Sequence, residues 1–110
     1  MTKILKGIPA SKGKVRSVAR VILNEASFAK FKPGEILVVR QTSPAWTPLL
    51  AVADGVVTEI GGALSHAAIV AREYGIPAVV GVENATKIIT SGQLIEIHGE
   101  KGTVSFSLKS

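Results

Sequence analysis

Thr58-Glu59-Ile60-Gly61-Gly62-Ala63-Leu64-Ser65-His66-Ala67-Ala68-Ile69-Val70-Ala71-Arg72-Glu73-Tyr74-Gly75-Ile76-Pro77-Ala78-Val79-Val80-Gly81 reads, in order, as a strand, a diglycine loop, a helix, a glycine stop and a second strand. Ser65 suits a helix N-cap, because its hydroxyl can take one of the orphan N–H groups of a first turn. The residues after it are mostly Ala, Ile, Val, Arg and Glu, which predicts a helix over residues 65–74. Gly75 fits the left-handed position beyond a helix end, and Pro77 forbids continuation. The apolar runs 56–60 and 78–82 on either side predict strands, the second buried on both faces.

Working outward, the other elements are short and separated by glycines. Residues 35–40 contain Ile36-Leu37-Val38-Val39, a continuous apolar run that predicts a strand covered on both sides. Residues 18–23 are β-branched and apolar. Residues 93–98 alternate around Ile95 and Ile97, as a half-exposed strand does, and 103–108 alternate with Val104, Phe106 and Leu108 inward. Two further helices are expected at 44–53, which opens with a proline and stops before Asp54-Gly55, and at 84–89. Strands mixed with a few helices imply an α/β or α+β domain of three layers.

With 110 residues, the chain is expected to form one domain over 1–110. Hydrophobic residues make up 46% and charged residues 19%, which excludes a disordered tail. There is no cysteine, so disulfides, thiolate metal sites and thiol catalysis are excluded. The net charge of +5 suits an anionic partner or cargo. No segment has the length of a transmembrane helix, and the N-terminus lacks the apolar core of a secretory signal. A soluble cytoplasmic protein is expected, with no membrane contact.

His66 carries the chemistry. It follows the N-cap, beside unpaired N–H groups and the positive end of a helix dipole. Those N–H groups, with the backbone of Gly61 and Gly62, suit an anion held next to the ring. A neutral nucleophilic nitrogen beside an anion cradle is what a phosphoryl-accepting histidine requires. Two glycines also let a bulky phosphoryl donor approach without meeting a Cβ. On this pattern alone the bland alternative stands: a packed, hydrogen-bonded histidine of the core.

Residues 61–81 closely resemble the phosphohistidine signature of the phosphoenolpyruvate-utilising enzymes, in their mobile "swivelling" domain. That family includes pyruvate phosphate dikinase, phosphoenolpyruvate synthase, enzyme I of the sugar phosphotransferase system and antibiotic-phosphorylating dikinases. The likeness extends to Gly7-Ile8-Pro9-Ala10-Ser11-Lys12-Gly13, to Pro33-Gly34-Glu35-Ile36-Leu37-Val38 and to Thr42-Ser43-Pro44-Ala45-Trp46-Thr47-Pro48. It continues in Gly92-Gln93-Leu94-Ile95-Glu96-Ile97 and Gly102-Thr103-Val104.

The resemblance implies a three-layer β/β/α swivelling fold, in which His66 is transiently phosphorylated and Gly61, Gly62 and Ser65 support the phosphate. It implies a phosphoryl shuttle between an ATP-grasp nucleotide-binding domain and a barrel domain that binds phosphoenolpyruvate or pyruvate. Those partners are expected as separate chains that hold ATP and Mg2+. This domain would bind no cofactor of its own and would show no turnover alone. The chain departs from the family pattern at Leu64, where many members carry a threonine whose hydroxyl helps hold the phosphoryl group; here the hydroxyl is at Ser65.

The remaining candidates read as structural. At 100° per residue Arg72 points away from His66, toward a salt bridge or docking contact, and Glu73 lies two turns down the helix. Trp46 reads as core, and His98 as a solvated surface residue. Lys3, Lys6, Lys12, Lys14, Arg16 and Arg20 form a basic N-terminal run, either a solvated face or an electrostatic docking surface. Two rivals to the phosphocarrier follow. One is a non-catalytic interaction or regulatory module that keeps the fold. The other is a basic nucleic-acid binder, which 5% aromatic content and the lack of a recognition motif oppose.

Overall fold

The computed structural model describes residues 1–108. Its strands are β1 (Thr2–Lys6), β2 (Ile8–Ser11), β3 (Lys14–Val21), β4 (Ile36–Val39), β5 (Gly55–Thr58), β6 (Ala78–Val80), β7 (Leu94–His98) and β8 (Thr103–Ser107). Its helices are α1 (Thr47–Val52), α2 (His66–Tyr74) and α3 (Ala85–Ile88), with 3-10 turns at Glu25–Lys30 and Pro44–Trp46. The strand order is β1-β8-β7-β3-β4-β5-β6-β2.

This order folds into two facing sheets because β3 serves both. Its first half, Lys14–Val18, pairs antiparallel with β7, and its second half, Ala19–Val21, pairs parallel with β4. Sheet one is therefore β1-β8-β7-β3 and sheet two is β3-β4-β5-β6-β2, the first four of its strands parallel.

Every residue of β4, β5 and β6 is buried, and alternate residues serve two cores. Leu37, Val39, Val56, Ala78 and Val80 pack with Leu49, Leu50, Ala68 and Ala71 of α1 and α2. Ile36, Val38, Val57 and Val79 face Ile95, Ile97, Val104 and Phe106 of the other sheet. The layers are thus sheet, sheet and helices: the β/β/α architecture expected. The continuous apolar runs follow from it, since a middle layer has no solvent face.

Several boundaries moved. The strand expected at 18–23 begins at Lys14 and ends at Val21, because its polar first half is held by pairing rather than burial. β1 and β2 lack an apolar run and were not legible; they exist because β8 and β6 offer open edges. The helix expected at 44–53 is split into the 3-10 turn and α1, since Pro48 has no N–H to continue the first turn. The helix at 84–89 shrinks to α3 behind a left-handed Asn84. Leu108 is 44% exposed rather than inward, lying past the end of β8.

The basic N-terminal run does not form one free cationic face. Lys14 lies 3.7 Å from Glu96, and Arg20 grips Glu35 through Nε to Oε1 (3.1 Å) and Nη2 to Oε2 (2.6 Å). That guanidinium, helped by the Lys32 N–H, holds the buried Glu35 carboxyl below the usual range against the upward push of burial. A depressed carboxyl stabilises the fold fully above the ordinary carboxylate range, and the contribution disappears as pH falls through the lower folded-state value. Glu35→Gln is expected to lose about 2 kcal/mol at pH 7, the scale of a charge-assisted bond. Denaturant titrations of both proteins should show the gap closing as the pH falls from about 5 toward 2.

Candidate functional site

The site forms at the C-terminal ends of the parallel strands, where the backbone of β5 turns onto that of β4. The N–H of Glu59 reaches the carbonyls of Val39 and Arg40 at 3.1 Å, and Ile60 N–H donates to Arg40 at 2.9 Å. Thr58, fully buried, donates its hydroxyl to the Ile60 carbonyl at 3.0 Å. The chain then leaves the sheet through Gly61 and Gly62 and enters α2 at His66.

The two glycines have different reasons. Gly61 has φ +124°, and a Cβ there would lie 2.9 Å from the Ser65 Cβ, so the N-cap itself requires it. Gly62 faces open space, and nothing within 4 Å would meet an added Cβ. Its carbonyl accepts from Ser65 twice, from N–H at 3.0 Å and from Oγ at 2.8 Å. Ser65 Oγ in turn accepts from Ala68 N–H at 3.4 Å, which makes it the expected cap. Its hydroxyl proton is thus already directed at Gly62.

His66 occupies the first helical position and is half-buried rather than sealed in the core. The N–H groups of His66 and Ala67 have no acceptor within the helix, as for any first turn. The ring is held from the neighbouring strand end: Thr42 Oγ1 lies 2.8 Å from His66 Nδ1. A hydroxyl both donates and accepts, so this contact suits either tautomer. Thr42 stands out in the sequence only as part of a longer motif. The parallel β4–β5 register, Val39 opposite Thr58, is what brings its turn beside a residue 24 positions later.

Arg72 departs from the expectation of a salt bridge or docking contact. Its Nη1 donates to the Ala10 carbonyl at 2.8 Å and its Nη2 to the Ala63 carbonyl at 2.7 Å. It therefore ties the histidine loop to β2 from the far end of α2. Glu73 is exposed. Glu59 was not singled out in the sequence, yet it organises the same edge: it accepts from Thr86 N–H at 2.8 Å and from the Thr86 hydroxyl, and Arg40 Nε lies 3.5 Å away. Burial pushes its carboxyl up, but the Thr86 bonds and the Arg40 and Lys87 charges outweigh that and hold it below the usual range.

The remaining side chains lie elsewhere. Trp46 is core, edge-on to Phe28 with ring centroids 4.7 Å apart. His98 is half-buried rather than solvated; its Nδ1 has no hydrogen-bond partner among the described residues, with Glu100 at 3.8 Å. Among the described residues no three of His, Asp or Glu are grouped to hold a metal ion, and no helix is long and apolar enough to cross a membrane.

Comparison with known proteins agrees with this geometry. The family model described as "PEP-utilising enzyme, mobile domain" matches residues 31–102. Rifampicin phosphotransferase of Bacillus cereus is 54% identical over 98 residues, which is 89% of this chain and 11% of that protein. A probable phosphoenolpyruvate synthase of Staphylothermus marinus is 48% identical over 103 residues, 92% of this chain and 12% of that one. The chain thus spans about a tenth of the length of these curated relatives. A solution structure of Enzyme I superimposes with TM-score 0.58 at 35% identity, over 66% of this chain and 30% of the other.

Proposed function

The chain belongs to the mobile-domain family of the phosphoenolpyruvate-utilising enzymes, and from that membership we propose that it is a phosphoryl carrier whose cargo rides on His66. The contact between His66 Nδ1 and Thr42 Oγ1, at the open start of α2, carries the reading. With Nδ1–H donated to Thr42, the lone pair stays on Nε2, which attacks the phosphorus of the donor. The N–P bond forms as the donor's P–O bond breaks, and the leaving oxygen keeps the electron pair. Nδ1–H stays on the ring throughout.

The doubly charged phosphoryl group then lies near the first-turn N–H groups. A helix N-terminus contributes about 1 kcal/mol toward such a charge, and the cap keeps those groups aimed outward. Gly61, Gly62 and Ser65 support the phosphate in this way, Ser65 chiefly by holding the helix start. Transfer runs between a nucleotide-binding site of ATP-grasp type and a phosphoenolpyruvate, pyruvate or other acceptor site. Both lie on other domains or chains, which hold ATP and Mg2+; the carrier works in the cytoplasm and has no turnover alone.

The test is to incubate the chain in an extract of its own cells with 32P-labelled phosphoenolpyruvate, or with ATP labelled in its β- and γ-phosphates. The expected product is acid-labile and base-stable, with phosphorus on Nε2 of His66 by 31P and 15N NMR. No label from either donor would identify a non-catalytic module that keeps the fold.

The open space at Gly62 has a further consequence. Gly62→Ala should leave stability within about 0.5 kcal/mol, as a surface change does, yet slow labelling on the order of tenfold by blocking donor approach, about 1.4 kcal/mol of barrier. Gly61→Ala should do the reverse in kind, since its φ alone makes a side chain cost 1–3 kcal/mol of stability, roughly. Thermal melts and initial labelling rates separate the two.

A further inference from the structure

Beside His66, the ends of three parallel strands enclose a groove of about 320 Å³, lined among others by Leu23 after β3, Arg40, Gln41 and Thr42 after β4, Ile60 after β5, and Trp46. Crevices at the carboxyl ends of parallel strands are where ligands bind in open α/β sheets. The groove shares Thr42 with the nucleophile. Two aliphatic side chains at it are exposed, Leu23 at 63% and Ile60 at 46%.

Leu64 extends this apolar rim. It is 84% exposed, and it stands on a loop whose carbonyls at Gly62 and Ala63 are fixed by Ser65 and Arg72. Leu64 is two residues from His66, so their Cα atoms are at most about 7 Å apart. Whatever reacts at the imidazole must therefore lie against Leu64. The one charged group lining the groove is Arg40, its Nε turned toward Glu59.

We propose that this groove and Leu64 receive the organic body of the phosphoryl acceptor, a molecule with a ring-sized apolar part that bears the accepting hydroxyl. The proposal rests on the carrier reading of His66 and adds the substrate class. A nucleotide's phosphates are a poor fit, because one half-committed guanidinium faces them and aliphatic side chains would lose water to a polyanion. An apolar body buries Leu23, Ile60 and Leu64 together, and Arg40 meets the phosphate of the product. In the transfer, the acceptor oxygen bonds to phosphorus as the Nε2–P bond breaks. The electron pair returns to Nε2, and the hydroxyl proton passes to solvent.

The test uses the 15N-labelled 110-residue chain with three probes: 2-naphthol, 2-naphthyl phosphate and AMP. Both naphthyl probes should shift the amides of Leu23, Gln41, Thr42, Ile60 and Leu64, and AMP should not. Arg40→Gln should weaken the phosphate ester at least threefold and leave naphthol unchanged. Leu64→Thr and Ile60→Thr should weaken both naphthyl probes about fivefold or more while His66 still takes label from the cell extract. A labelled His66 with no shifts at the groove, or shifts indifferent to Leu64 and Ile60, overturns the acceptor class and leaves the carrier intact. Shifts at the groove of a chain whose His66 takes no label overturn the carrier reading, and with it the assignment of the bound molecule as acceptor.

Discussion

His66→Ala takes the phosphoryl label to zero and leaves the fold standing. The imidazole is the only group at the start of α2 that supplies a nucleophilic nitrogen, so no neighbour replaces it. Structurally the loss is small. The ring is half-buried and makes one side-chain bond, to Thr42, worth about 1 kcal/mol. Alanine also favours a helical position, which offsets part of that. The melting temperature should therefore move by no more than about 4 °C. Thr42→Val keeps the shape and removes the hydroxyl. It should lower the labelling rate about 10-fold or more, the scale of losing a group that orients a reactive histidine, and the ring 15N shifts should show mixed tautomers. A His66→Ala protein that still carried an acid-labile phosphoryl group would place the chemistry elsewhere.

The largest loss of stability is expected at Gly99→Ala. A Cβ at that position would lie 1.9 Å from the Ser11 carbonyl oxygen and 2.9 Å from the Ser11 carbonyl carbon. Both obstacles are backbone, so no side chain can rotate away. Gly99 N–H also donates to the Gly13 carbonyl at 2.7 Å, which pins the turn between β7 and β8 against the chain leaving β2. The backbone must separate there, and overpacking of this kind costs about 3 kcal/mol. A calorimetric scan should show the transition lowered on the order of 10 °C. An unchanged transition would mean that the two segments are free to part.

Legibility followed how local the cause was. Helix α2 was readable end to end, because Ser65, His66 and Gly75 each act within one turn of their own position. The buried runs of β4 and β6 were readable because a middle layer needs apolar residues on both faces. β1 and β2 were not, since their pairing with β8 and β6 is made by partners remote in sequence. The same division runs through the site. His66 was found from its place at the helix start, and Thr42 as a ring partner was not, because hydroxyls are common and nothing local marks this one.

Composition and periodicity determined that the chain would build a layered α/β core, and the helix-start pattern, read with the family likeness, marked His66 as its reactive residue. The tertiary structure alone decided which hydroxyl holds the ring, that Arg72 binds carbonyls instead of a carboxylate, and that Gly61 and Gly99 have no room for a side chain while Gly62 has. The reason is physical: capping and hydrophobic periodicity act over a few residues, whereas a contact between strand ends exists only once register has brought distant segments together.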